Sequence, residues 1–247
     1  MLFRSLHGVI VRTGPGSKGL SAFLVEADRP GLTLAPHQRS MGLHGFSFGE
    51  IRLDGCRVPA RNRLRAEGDG LAIAYSSSIL YGRPNLTAVA LGLHQAIVDE
   101  TITFVRERRR YSGVLADLPT IQQQIGRMRH RLLTARLAAY HAVHLLDHGT
   151  PCDDYLINAK FLNVEAGLDS ARAAMNIHAA AGLRTDRPIE RFARDAFHIN
   201  APAGTSDIQL HRLAESALGR SRGQWSQRLA AKLVCRPTAD TLTGETA

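Results

Sequence analysis

The residues best suited to chemistry lie late in the chain. Pro202 and Gly204 break the backbone, and Thr205-Ser206-Asp207 then precede a helical pattern carrying Ile208, Leu210, Leu213 and Leu218. Thr, Ser and Asp offer capping oxygens, and Asp207 adds negative charge where a helix dipole favours it. The Gly204–Asp207 turn therefore aims backbone N–H groups out of a helix start, which suits an anion or an enolate oxygen. A second group is basic: Arg106, Arg108, Arg109 and Arg110 stand before Tyr111-Ser112-Gly113. On residue type alone these are cations at a solvated helix end, complementing its dipole. A third group, His141, His144 and His148, shares one helix face. Asp147 is the only carboxylate beside it, so the trio reads as a surface stripe, and no metal is expected.

The elements that must position these residues change character along the chain. Leu6–Arg12 and Leu20–Glu26 are short aliphatic runs separated by Gly14-Pro15-Gly16-Ser17, and they read as strands. Leu32–Leu34 is extended, and Phe48–Leu53 reads as a further strand ending at Asp54-Gly55. From Leu71 the period becomes helical. Leu71–Arg110, Pro119–His148, Asp153–Ala181, Ile189–Asn200 and Ser206–Leu218 carry apolar residues three and four apart. Gly182 suits a helix end and Pro188 a helix start. Four long helices and a short one suggest an antiparallel bundle with short loops. The fold class is α+β, predominantly α. Residues 1–66 form a partial antiparallel β-domain, 67–222 a helical bundle, and 223–247 a tail, helical and then disordered.

Composition bounds the function. With 44% hydrophobic and 21% charged residues, the chain is that of a soluble globular protein. Its formal charge of +9 comes almost wholly from arginine, since Lys18, Lys160 and Lys232 are the lysines. The arginines are scattered along helices with no aromatic–basic interleaving. That argues against nucleic acid and for anionic ligands carrying phosphates. Cys56, Cys152 and Cys235 lie too far apart for a zinc or disulfide framework. No signal peptide opens the sequence and no apolar run is long enough to span a bilayer, so the expectation is a cytoplasmic protein without a membrane partner.

Gly182, Pro188, Glu190-Arg191, Arg194-Asp195-Ala196 and Gly204-Thr205-Ser206-Asp207-Ile208 occur in an order and spacing that resembles the acyl-CoA dehydrogenase family. Met41-Gly42, Asp54, Val58-Pro59 and Gly68-Asp69-Gly70 resemble the second half of that family's β-domain. The resemblance runs from about residue 6 to 219. It implies a β-domain half followed by the family's C-terminal four-helix bundle, with FAD as cofactor. The implied substrate is an acyl thioester on coenzyme A or on a carrier protein. The family's N-terminal helical domain has no counterpart, so the expectation is either a late-start fragment or a partner that supplies the missing half.

The resemblance also assigns roles. Arg108 and Tyr111 match an Arg-x-x-Phe motif whose Arg contacts the flavin pyrophosphate of a neighbouring subunit, and a guanidinium fork suits that group. Pro119 replaces a Gln there. Asn176, Gly182, Thr205 and Asp207 match positions that hold the adenine and phosphate end of FAD, with Ala179-Ala180 in place of two glycines. Arg83 and Gly204 match substrate-binding positions, and Arg83-Pro84 and Gly92 keep the motif of the first bundle helix. The family places its catalytic Glu either just before Gly-Thr or just before the helical Arg. Here those positions are Ala203 and Gly82, so no catalytic residue is assigned. His178 and His198 lie nearby but at neither position. Three readings follow: a dehydrogenase-like flavoprotein chain in a homo- or hetero-oligomer, a non-catalytic companion of a complete paralogue that lends Arg108, or a flavin-dependent oxygenase that needs no α-proton base.

Overall fold

The alternating aliphatics of residues 6–26 close, in the computed structural model, into an antiparallel hairpin. The structure describes residues 6–46, 48–220 and 225–227. Strand β1 (Leu6–Arg12) pairs with β2 (Leu20–Glu26) in a register that sets Leu6 opposite Glu26 and Arg12 opposite Leu20. The turn is fixed by Thr13 and Gly14 N–H groups that both donate to the Gly19 carbonyl, at 2.8 and 3.1 Å. Gly19 must be glycine, because a Cβ there would lie 1.9 Å from the Gly14 oxygen. Strand β3 (Leu32–Leu34) pairs with β4 (Ile51–Leu53), and β5 (Arg63–Leu64) adds to the other edge of β2. The strand expected over Phe48–Leu53 is thus regular only from Ile51, although Gln38 and Ala35 still donate to the Phe48 and Glu50 carbonyls. Asn62 bridges β2 by donating to Leu24 O and to Glu26, which also pairs with Arg29 at 2.6 Å. Helix α1 (Gly70–Ser76) follows.

The described residues divide into two compact units between Tyr81 and Gly82. The uninterrupted helix expected from Leu71 to Arg110 is instead α1, a π-helical turn over Ser77–Gly82, and α2 (Arg83–Glu107). The second unit is the helical bundle. Arg109–Arg110 (β6) and Gly113–Val114 (β7) make a minimal hairpin, and α3 (Pro119–Asp147) returns alongside α2. Then come α4 (Asp153–His178), α5 (Pro188–His198) and α6 (Ser206–Ala217). Contacts fix the directions. Arg136 of α3 donates to Gln95 of α2, and Asn163 of α4 donates to Ala135 O of α3, while Arg131 pairs with Asp169. Neighbours along the chain therefore run antiparallel. Helices α2 and α4 run parallel, with His94 against Ser170 and Phe104 stacked on His178.

α4 is the centre of the bundle, flanked by α2, α3, α5 and α6. Its buried positions, Leu156, Lys160, Asn163, Gly167, Ser170 and Ala174, recur three and four apart and mix apolar with polar groups. Three bundle helices are long and two short, with 11 residues in α5 and 12 in α6, where four long and one short were expected. Helix α4 stops at His178 rather than Ala181, and a 3₁₀ turn follows over Ala179–Leu183. Ala179 adopts φ 49, a conformation that glycine accepts without cost and an L-residue resists, so the α-helix cannot continue through it. By length and composition the helical run Gly70–Glu107 reaches the threshold for crossing a membrane, with a mean hydropathy of 1.2 over its most apolar window. That corrects the expectation that no run is long enough. Its α2 portion, however, packs against α3, α4 and α5. Of the expected tail, only Trp225–Gln227 falls among the described residues; the Trp225 and Ser226 N–H groups donate to the Asp153 carboxylate.

Candidate functional site

Ala203 and Gly204 both take left-handed backbone conformations, at φ 55 and φ 95. This double turn ends the segment after α5 and delivers the chain to α6. The φ of Gly204 favours glycine, and an added Cβ would also approach the Gln209 amide to 2.9 Å. Thr205 is the N-cap with extended backbone, yet its hydroxyl makes no capping hydrogen bond. The expected cap is replaced. The Ser206 hydroxyl reaches the Glu165 carboxylate of α4 and Asn200 Oδ1. Asp207 is exposed in the first turn of α6. No acceptor among the described residues meets the N–H groups of Gly204 or Thr205.

Two buried side chains hold the turn from beneath. Lys160 Nζ donates to Asn200 O at 2.8 Å and to Gly204 O at 2.6 Å, and Lys160 is fully buried. Gln209, also fully buried, donates to Ala203 O and Gly204 O at 2.9 and 3.0 Å. Burial, reinforced by Arg83, pushes the Lys160 amine down to about 8, against the opposing pull of Glu165. Arg83, on the first turn of α2, is buried too, and its Nε has no partner. Burial lowers its guanidinium to about 10, with Asp153 opposing and Arg212 adding to the fall. Arg83 thus belongs electrostatically to the lysine beneath the turn, and Gly82 precedes it as the last residue of the π turn.

The other candidate residues lie at the opposite end of the bundle. Arg108 closes α2 and is exposed; its N–H bonds Phe104 O and its carbonyl accepts from Leu115 N, both at 2.9 Å. The expected helix to Arg110 ends here because the β6–β7 hairpin begins. Tyr111 sits at the tip with φ 54 and 83% exposure, its ring 5.3 Å from the Arg110 guanidinium. Asp117 Oδ2 accepts from Val114 N, and Gln122 donates to Ala116 O, which secures the turn into Pro119. Asn176 is exposed near the end of α4, and Gly182 is buried against Met175 and His178. At 1.5 Å per residue, Arg83 and Arg108 are about 37 Å apart along α2, and Lys160 and Asn176 about 24 Å apart along α4. One chain therefore unites Arg83, Gly204, Thr205 and Asp207, and separates them from Arg108, Tyr111, Asn176 and Gly182.

His198 is the last residue of α5 and half-buried; packing places the other candidate histidines. His178 is buried, stacked on Phe104 with ring centroids 4.0 Å apart, and held near 4 by burial with Arg187 adding to it. Neither of its ring nitrogens has a hydrogen-bond partner among the described residues. His94 shares a 2.7 Å hydrogen bond with Ser170 and is likewise held near 4 by burial, then by Arg131. His144 and His148 are ring neighbours at 4.1 Å, while His141 meets the Tyr155 edge. Among the described residues no three His, Cys, Asp or Glu side chains gather as metal ligands would. Lys160 and Gln209 were missed by the sequence reading. A signal existed for Lys160: one of the rare lysines falls on the apolar spacing Leu156–Lys160–Asn163–Gly167.

Comparison with known proteins sets this geometry in a family. The model of the acyl-CoA dehydrogenase C-terminal domain matches residues 68–218. An acyl-CoA dehydrogenase of Bacillus subtilis (strain 168) is 32% identical over 204 residues, which cover 83% of this chain and 54% of the relative. The structure of butyryl-CoA dehydrogenase from Megasphaera elsdenii superposes with a TM-score of 0.84 at 26% identity, covering 87% of this chain and 56% of that one. The structure of PigA with FAD and proline gives 0.82 at 25% identity, over 89% and 57% of the two chains. The chain spans about half the length of the curated relatives it matches.

Proposed function

We propose a function from one premise: the chain belongs to the acyl-CoA dehydrogenase family, whose C-terminal domain covers residues 68–218. The function is that of a flavoprotein chain acting on the CH–CH bond of an acyl thioester carried by coenzyme A or by a carrier protein. The observation that carries it is the Ala203–Asp207 turn, with N–H groups of Gly204 and Thr205 left without acceptors above a buried cationic floor. These donors are placed for a thioester oxygen that gains negative charge as the α-carbon loses its proton. Arg83 and Lys160 add positive potential behind them.

FAD, when bound, supplies the acceptor for the hydride that leaves the β-carbon. The donor chemistry here fits its phosphates: the Arg108 guanidinium has no hydrogen-bond or ion-pair partner among the described residues and stands on a backbone fixed at both ends. Asn176 and Gly182 lie at that same end. Because the turn is some 24–37 Å away along the helices, a complete site takes the turn from one chain and Arg108 from another. The chain is therefore proposed to act as an oligomer.

No side chain at position 203 removes the α-proton. Ala203 is a methyl group and Gly82 has none. A general base is worth roughly 10²–10⁴ in rate. Ordinary dehydrogenase turnover is accordingly slow or absent in this chain, and the same observation favours a second reading as a non-catalytic companion of a complete paralogue. The two are separated by titrating the chain with FAD and butyryl-CoA, alone and with a complete paralogue. Thioester binding to the chain, seen by calorimetry, supports its own site. Binding found only in the mixture, and insensitive to Gly204→Val, leaves the companion role.

A further inference from the structure

We infer that Lys160 is a positioning residue for the Ala203–Asp207 turn: with Gln209 it holds the carbonyls of Asn200, Ala203 and Gly204 inward and thereby fixes the outward direction of the Gly204 and Thr205 N–H groups. All the described peptide bonds are trans, so each C=O points opposite to the N–H of the next residue. The Ala203 carbonyl is bound from below by Gln209, so the Gly204 N–H faces the other way. The Gly204 carbonyl is bound by both Gln209 and Lys160, so the Thr205 N–H faces the other way as well. Successive left-handed residues at 203 and 204 are what allow two adjacent carbonyls to turn to the same side.

The anchor must be long, cationic and rigidly seated. Lys160 rises from the first half of the central helix and is fully buried, so its ammonium has little freedom to leave the two carbonyls it meets. Asn200 O links the same ammonium to the end of α5, so both ends of the Ala201–Ala203 segment are tied to α4. The charged groups around Lys160 are Arg83 from α2, which opposes its protonation, and Glu165 on α4, which favours it and is itself bonded by Ser206 of α6. Arg83 is in turn balanced by Asp153 and opposed by Arg212. The amine consequently titrates near 8, and its loss of charge weakens the hold on Gly204 O.

The inference rests on the proposed function only in what the two N–H groups would bind; the turn itself is testable without ligand. Carbonyl ¹³C shifts of Asn200 and Gly204, measured on the full chain through the interval around pH 8, are expected to titrate together with a midpoint near 8, while the carbonyl of Ala139 in α3 stays flat. Lys160→Met is expected to abolish that titration and to raise amide exchange over residues 201–207 at least tenfold, with α2–α3 exchange unchanged. Should Lys160→Met fail to fold, Gln209→Met serves, with a raised exchange over the same residues and the titration retained. Exchange over 201–207 unchanged in whichever variant folds, or a titration of Asn200 and Gly204 that survives Lys160→Met, overturns the inference. Failure of the wild type to bind a thioester bears on the function alone, because neither readout contains one.

Discussion

At the scale of single residues, the buried histidines and the exposed arginine carry the sharpest expectations. His94 and His178 are held near 4, against about 6.5 for an ordinary imidazole, chiefly by burial. Between those values the unfolded chain binds protons that the folded one refuses. The stability they contribute is therefore complete above about 6.5 and is lost as pH falls toward 4, at up to about 1.4 kcal/mol per pH unit for each. Urea midpoints measured at neutral pH and near pH 5 should fall, and His178→Phe, which keeps the stack on Phe104, should shrink that fall by about half. An equal fall in the variant would contradict the assignment. Arg108→Ala should weaken FAD binding in the assembled protein by about 1.5–3 kcal/mol, the worth of a charge-assisted contact, with Arg106→Ala as control. Fluorescence titration checks it; equal and small effects would leave Arg108 a solvated helix end.

At the scale of elements, the β-hairpin and the α5–α6 turn show what local sequence can and cannot specify. Leu6–Arg12 and Leu20–Glu26 were legible to the residue because aliphatic runs are bounded by Gly-Pro-Gly on one side and by a charge on the other. The Gly19 contact explains why the turn closes there, and Gly19→Ala should destabilise the hairpin by about 3 kcal/mol, whereas Gly8→Ala, with open space around it, should cost little. Hydrogen exchange of the β1–β2 amides measures both. The helices were legible in kind and less so in extent. The π turn at Ser77–Gly82 and the early stop of α4 at Ala179 are backbone choices that apolar spacing does not encode. The Gly204 turn was legible from its breakers and caps. Its anchors were not, because Lys160 and Gln209 meet it from 44 and five residues away, and only the packing of α4 under α6 brings them there.

At the scale of the whole molecule, the candidate residues fall at two ends of the bundle, and the proposed site needs two chains. Leu133, Leu137 and Tyr140 share an exposed face of α3, with Leu137 73% exposed. Light scattering at low micromolar concentration should give at least a dimer, and a stable monomer would argue against a site shared between chains. As proposed, the turn at Ala203 holds a thioester and lacks only the carboxylate. The most direct measurement is anaerobic bleaching of the flavin by butyryl-CoA in an FAD-loaded assembly of wild type and of Ala203→Glu. The account predicts slow or no bleaching in the wild type and a gain on the order of 10²-fold or more in the variant. Rapid bleaching by the wild type, or no gain in a variant that binds both flavin and thioester, would contradict it.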